Sequence, residues 1–135
     1  MNWIITNIKW IMVVSGVLTA TMIYAAIAPA AALQATFGET LDEPLARIIV
    51  RNWGALIALV GGMLLYGAFR PPARSLVLIV AGASKAIFII LVLSQGARYL
   101  SEQAGIAVAI DSVMTALFAW YLLASRSRTM VRTGR

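Results

Sequence analysis

The chain has 135 residues, is 61% hydrophobic, carries a formal charge of +6 and contains neither cysteine nor histidine. Its mean hydropathy of +0.89 is well above that of an ordinary soluble domain, and its length leaves room for a single domain. The missing residue types exclude thiol chemistry, disulfides, imidazole acid–base catalysis, structural zinc and haem ligation by histidine.

Four apolar segments follow one another. The first covers roughly 9–28, from Lys9 to just before Pro29. Ala26, Ala28, Ala30 and Ala32 offer the small residues of a cleavage site. The apolar run is nevertheless too long for a signal-peptide core and its basic start is one lysine, so a retained helix is expected. Residues 29–40 are apolar at first and polar around Phe37 and Gly38, which fits a lid, a re-entrant segment or a flexible loop; connections of this length often carry function. The second segment, roughly 41–69, opens with Thr40 and Glu43 at capping-box spacing and with Pro44 in its first turn. At 1.5 Å per residue it outruns a bilayer core of about 30 Å, so its first turns are expected to stand clear of the hydrocarbon. Arg70, Pro71, Pro72 and Arg74 read as a tight polar turn. The third segment, roughly 75–95, stops at Gly96, and the fourth, roughly 104–124, carries Trp120 and Tyr121 near its end. The expected fold is all-α: an integral membrane four-helix bundle forming one domain over 1–135, with a basic tail at 126–135.

Basic residues set the expected orientation. Arg70 and Arg74 in the short turn, with Arg126, Arg128, Arg132 and Arg135 in the tail, belong on the cytoplasmic side, which places both termini there. Beside a membrane such a tail reads as an attractor for anionic lipid headgroups rather than for nucleic acid. Trp3, Trp10, Trp53, Trp120 and Tyr121 read as interfacial belt residues.

Three ionisable residues interrupt the apolar segments: Arg51, Lys85 and Asp111. Each costs roughly 2.5–3.5 kcal/mol on insertion scales unless paired or used. Counted from the cytoplasmic ends, they lie at depths of roughly 25, 15 and 21 Å. Small residues accompany each of them: Gly54, Ala58 and Gly62 beyond Arg51, Ala81 and Gly82 before Lys85, Ala107 and Thr115 around Asp111. Such stripes let helices approach closely in lipid, so the three charges are expected to face the interior, opposite Ser15, Thr19 and Tyr24 of the first helix. Arg51, Lys85, Asp111, Asn52, Thr115 and Tyr24 are the candidate ligand-binding residues. Arg51 has the strongest alternative, reaching water or pairing with Glu43 or Asp42. Gly16 and Ala20, or the stripe on the second helix, would also suit a contact between copies.

Phe37-Gly38, the run Arg51-Asn52-Trp53-Gly54, the segment Gly61 to Arg70 and Asp111 in the last helix together resemble the DoxX-like superfamily of small four-helix bacterial membrane proteins. The resemblance implies a bacterial inner-membrane location. Some proteins of that group resemble or accompany redox systems that hand electrons to quinone. The expected function is a binding site for a small amphipathic or anionic molecule, a lipid, a quinone or a partner helix, with no metal or cofactor. The alternatives are a membrane isomerase or cyclase using Asp111 and Lys85 as acid and base, an accessory subunit of a larger membrane complex, and a small oligomeric transporter.

Overall fold

Apolar residues recur along the chain, and the backbone adopts the structure that satisfies its own polar groups without water, the α-helix. The structure, a computed structural model, describes residues 2–134, with Asn2 and Thr133 by backbone alone. Its elements are α1 (Asn2–Ala20), α2 (Ile23–Ile27), α3 (Pro29–Phe37), α4 (Pro44–Phe69), α5 (Pro71–Leu93) and α6 (Gln103–Thr133). Among the described residues there is no strand. Four stretches are long and apolar enough to cross a membrane: Trp3–Ile27, Pro44–Phe69, Pro71–Leu93 and Gln103–Arg132. The protein is an all-α membrane helical bundle.

Two prolines shift the expected boundaries. Glu43 is extended (φ −66°, ψ 142°) and makes no side-chain cap bond, and α4 begins at Pro44. A proline favours an extended predecessor and suits the first helical position, where its missing N–H is not needed. With Pro44 in that place, Thr40 and Glu43 cannot form a capping box. In the same way α5 begins at Pro71, four residues before Ser75, and only Arg70 separates it from α4. Arg74 then falls in the first turn of α5, where its guanidinium donates to the carbonyl oxygens of Gly67 (3.3 Å) and Ala68 (2.8 Å). Those are acceptors that the end of α4 leaves open.

The outer helices are longer than the apolar windows. α1 reaches back to Asn2 because Ile4 and Ile8 pack into the core. α6 runs on to Thr133 because its arginine-rich stretch holds no breaker. Ser125, Ser127 and Thr129 bond back to carbonyls of the preceding turn, and Arg132 sits at the favourable end of the helix dipole. Positions 126–133 are therefore a helical extension instead of a separate tail; Arg135 lies outside the described residues.

The first crossing tightens at Thr21 and Met22, where the N–H groups of Met22, Tyr24 and Ala25 bond three residues back. This turns α2 onto α4: a β-carbon at Gly54 would stand 2.7 Å from that of Ala25. Residues 29–40, expected as lid, re-entrant segment or loop, are largely the helix α3. Pro29, Ala32 and Leu33 give it a buried face. It closes at Gly38, whose φ of 72° favours glycine and whose N–H bonds to the Gln34 carbonyl at 2.9 Å.

α1 packs on α4, α4 on α5, α5 on α6, and α6 back on α1, so α1 and α5 face each other across the diagonal. The start of α1, the Arg70 turn and the end of α6 share one end of the bundle, called here the basic end. α3 covers the other, the cap end. Along α4 the buried residues are Val50, Gly54, Gly61, Leu64, Gly67 and Ala68. The spacing of seven from Gly54 to Gly61 keeps one seam against the first crossing, α2 at Gly54 and α1 at Gly61, whereas a strict four-residue stripe drifts around the helix. Gly62, expected on the packed face, meets nothing within 4 Å, while Gly61 lies against the backbone of Gly16 and Ala20. Those two small residues of α1 thus serve a contact inside the subunit.

Candidate functional site

The interior is layered. At the basic end, Ile8, Ile11, Met12, Leu64, Ala68, Val77, Leu78, Ala81 and Phe118 form one apolar cluster. At the cap end, Val92, Ala104 and Val108 form a second, with Phe37, Phe88, Ile89 and Tyr99 against it. Between them lies a polar layer. Lys85 of α5 reaches across it, its Nζ donating to Asp111 Oδ1 of α6 at 2.7 Å and to Thr19 Oγ1 of α1 at 3.2 Å. The side chains are 9% and 18% exposed for Lys85 and Asp111 respectively, so the ion pair is an interior feature. The 2.7 Å contact places Lys85 and Asp111 at one level of the bundle, where counting from the expected helix ends had set them about 6 Å apart.

Two further hydroxyls belong to this layer. Ser15 lies one turn from Thr19 and Thr115 one turn from Asp111, both toward the basic end. Their oxygens are buried and have no hydrogen-bond partner among the described residues. Other helical hydroxyls of this chain, such as those of Ser112 and Ser125, bond back to a carbonyl of their own helix. A buried hydroxyl without a partner costs roughly 1–3 kcal/mol. Ser15→Ala is accordingly expected to leave thermal stability unchanged or to raise it. Thr19→Val should lower it, because Lys85 then loses an acceptor. Thermal unfolding of the two variants in one detergent checks the contrast.

The remaining candidates do not converge on Lys85. Arg51 and Asn52 are exposed on the outward side of α4. The physical reason is the seam just described: with Val50 and Gly54 turned inward, position 51 is carried to the flank. Tyr24 is 51% exposed on α2, because the tightened turn before it points Ala25 inward instead. It borders a second recess of about 280 Å³ with Thr21, Ala32, Thr36 and Gln103.

A groove at the cap end was not foreseen. It measures about 240 Å³ and is lined by Leu33 and Phe37 of α3, Trp53 of α4, Phe88, Leu91, Val92 and Gln95 from α5 and its end, and Tyr99. Phe37 is its keystone, with ring centroids 6.3 Å from Trp53 and 5.4 Å, edge-on, from Tyr99. Trp53, read from sequence as an interfacial residue, is thus part of an aromatic wall. The signal available in the sequence was that Phe37 precedes a glycine helix stop, which fixes its ring over the bundle mouth.

Above the groove, Arg98 pairs with Glu39 at 2.5 Å, tying the connection after α3 to the one after α5. The Glu39 carboxylate, by hydrogen bond and charge, raises the Arg98 guanidinium further above its usual range. The cation therefore persists at every ordinary pH and would be lost only in strong alkali. Both side chains are more than half exposed, so salt screens the pair. Among the described residues no group of three acidic side chains gathers that could hold a metal.

Comparison with protein-family models, with curated proteins and with solved structures finds no match.

Proposed function

We propose that the protein is a non-enzymatic membrane binding module that takes the flat or ring-bearing part of a lipophilic molecule into the groove beneath α3. The observation that carries this reading is the aromatic-lined groove, whose wall residue Phe88 stands about one turn above the buried Lys85–Asp111 pair on α5. Apolar concave surfaces with a few fixed polar groups are the usual form of a small-molecule site. At about 240 Å³ the groove is smaller than the roughly 300–1,000 Å³ of common ligand pockets, so it would hold part of a ligand whose tail stays in the bilayer.

The charge balance narrows the ligand. A surplus interior cation favoured an anion, but Arg51 faces outward and Lys85 is matched by Asp111. A neutral or weakly polar amphipath, such as a lipid or a quinone, fits better than a strong anion. The DoxX-like resemblance supports the same class. In this reading the basic end faces the cytoplasm of a bacterial inner membrane, since Lys9, Arg70, Arg74 and the arginines of α6 gather there. The helical extension of α6 would meet anionic headgroups.

Equilibrium dialysis against quinones and lipids, with the protein in nanodiscs, tests the proposal. Leu91 lines the groove yet is 62% exposed, so Leu91→Trp fills the opening without disturbing the core. It is expected to weaken binding at least about tenfold, while Leu123→Trp on the outer face of α6 leaves it unchanged. Equal binding by the parent and both variants would refute the groove.

A further inference from the structure

The outward face of α4 carries a second feature that the groove does not use. Arg47 and Arg51 stand one turn apart, both exposed. Around them Leu45, Ile48 and Ile49 are 67%, 65% and 60% exposed. Those aliphatic side chains lie on a helix apolar enough to cross the membrane, on a face that no other part of the described chain covers. Two guanidiniums are thus held at the edge of the hydrocarbon.

Neither guanidinium is ion-paired with an acid among the described residues. The ion pairs Lys85–Asp111 and Arg98–Glu39 include neither Arg47 nor Arg51. Glu43, one turn above Arg47, is the nearest acid on this helix, with Asp42 beside it. It lies eight residues from Arg51, about 12 Å along the axis, beyond the reach of that guanidinium. α4 has 26 residues, about 39 Å, against a hydrocarbon thickness of about 30 Å. The excess of about 9 Å, roughly six residues, carries the first turns into the headgroup region: Arg47 stands among the lipid phosphates, and Arg51 lies just inside the hydrocarbon edge, from which its long side chain reaches them. A planar guanidinium binds a phosphate in a two-pronged, charge-assisted geometry that a lysine does not reproduce.

We infer that Arg47 and Arg51 form a site for the phosphodiester of a membrane lipid on the outer face of α4, its acyl chains running inward past Leu56. The site is separate from the groove and stands whether or not the groove binds anything.

Native mass spectrometry from lipid nanodiscs tests it, comparing phosphatidylglycerol, phosphatidylcholine and diacylglycerol, with inorganic phosphate as a fourth probe. The parent should retain both phospholipids over diacylglycerol, and free phosphate should displace neither. Arg47→Gln combined with Arg51→Gln should lower phospholipid retention at least about tenfold. A shared background from the arginines of α6 cancels in that comparison. Arg51→Lys should fall between the two, and circular dichroism should show the helical content of all variants unchanged. Three results would overturn the inference. Diacylglycerol could be held as firmly as the phospholipids, or the double variant could retain phosphatidylglycerol like the parent. The variant could also convert a dimer to monomers with lipid retention intact, in which case a carboxylate of a second copy is the partner.

Discussion

Replacing Gly61 with alanine is expected to destabilise the bundle by about 3 kcal/mol or more, at the upper end of overpacking costs. A β-carbon there would stand 2.5 Å from the backbone nitrogen of Ala20 and 2.8 Å from the carbonyl oxygen of Gly16. Both are backbone atoms of a continuous helix and have no side-chain freedom with which to yield. The contact between α1 and α4 is the most extensive in the bundle, so the two helices must separate along much of their length to admit one methyl group. Gly62 provides the control, since a β-carbon there meets nothing within 4 Å. Gly62→Ala should retain the parent's stability or gain slightly from helix propensity. Unfolding in mixed detergent micelles, followed by circular dichroism, distinguishes the two. Equal stability of both variants would mean that the α1–α4 seam is not where it is described.

The second large effect is expected at Lys85. Lys85→Met removes the cation and leaves Asp111 charged between two apolar clusters, with no other basic side chain in the polar layer. Breaking one side of a buried pair typically costs about 3–5 kcal/mol. The 18% exposure of Asp111 places this case toward the lower end. The double variant, Lys85→Met with Asp111→Leu, should recover most of that loss, because desolvation of both ions is then avoided. A double-mutant cycle measured by the same unfolding assay should therefore be strongly non-additive. An additive cycle would show that the two residues do not meet. If the double variant is as stable as the parent yet has lost ligand, the pair serves binding more than folding.

Much of the architecture was legible because hydrophobic length is a direct physical requirement of the bilayer. Each of the four spans announces itself as an apolar run, and Lys85 and Asp111 announce themselves as charges such runs do not ordinarily tolerate. Charge alone set Asp111 against two cations, Lys85 and Arg51, without choosing between them. Other features depended on angles that composition does not carry. Arg51 sits on α4 among small residues just as Lys85 does on α5, but the seam through Val50, Gly54 and Gly61 is turned far enough to put it outside. A local rotation of one residue position decides between an interior cation and a lipid-facing one. Tyr24 failed for a related reason: the tightened turn at Thr21 and Met22 resets the phase of the helix that follows, and nothing in the residues there marks a break. The groove was hidden because it is assembled from α3, α4 and α5 and from the connection that holds Tyr99. Its aromatic residues, taken singly, resemble the interfacial rings of any membrane protein. Ser15 and Thr19 were identifiable as inward-facing, but the lack of any partner for the Ser15 hydroxyl emerges only from the packing.

The single residue between α4 and α5 has a mechanical consequence. With Arg70 as the whole connection and Arg74 clasping the carbonyls of Gly67 and Ala68, the two helices are pinned together at one extremity, like the arms of tweezers at their joint. The groove lies between their other ends, which are held together by side-chain contacts through Phe37 and the Arg98–Glu39 pair. A small flexure near the joint would be magnified by the length of the arms, moving the tips more than the joint. Admission of a bulky guest would then require no unfolding, only bending, and a stiffer joint would slow its passage without altering a single residue that touches it.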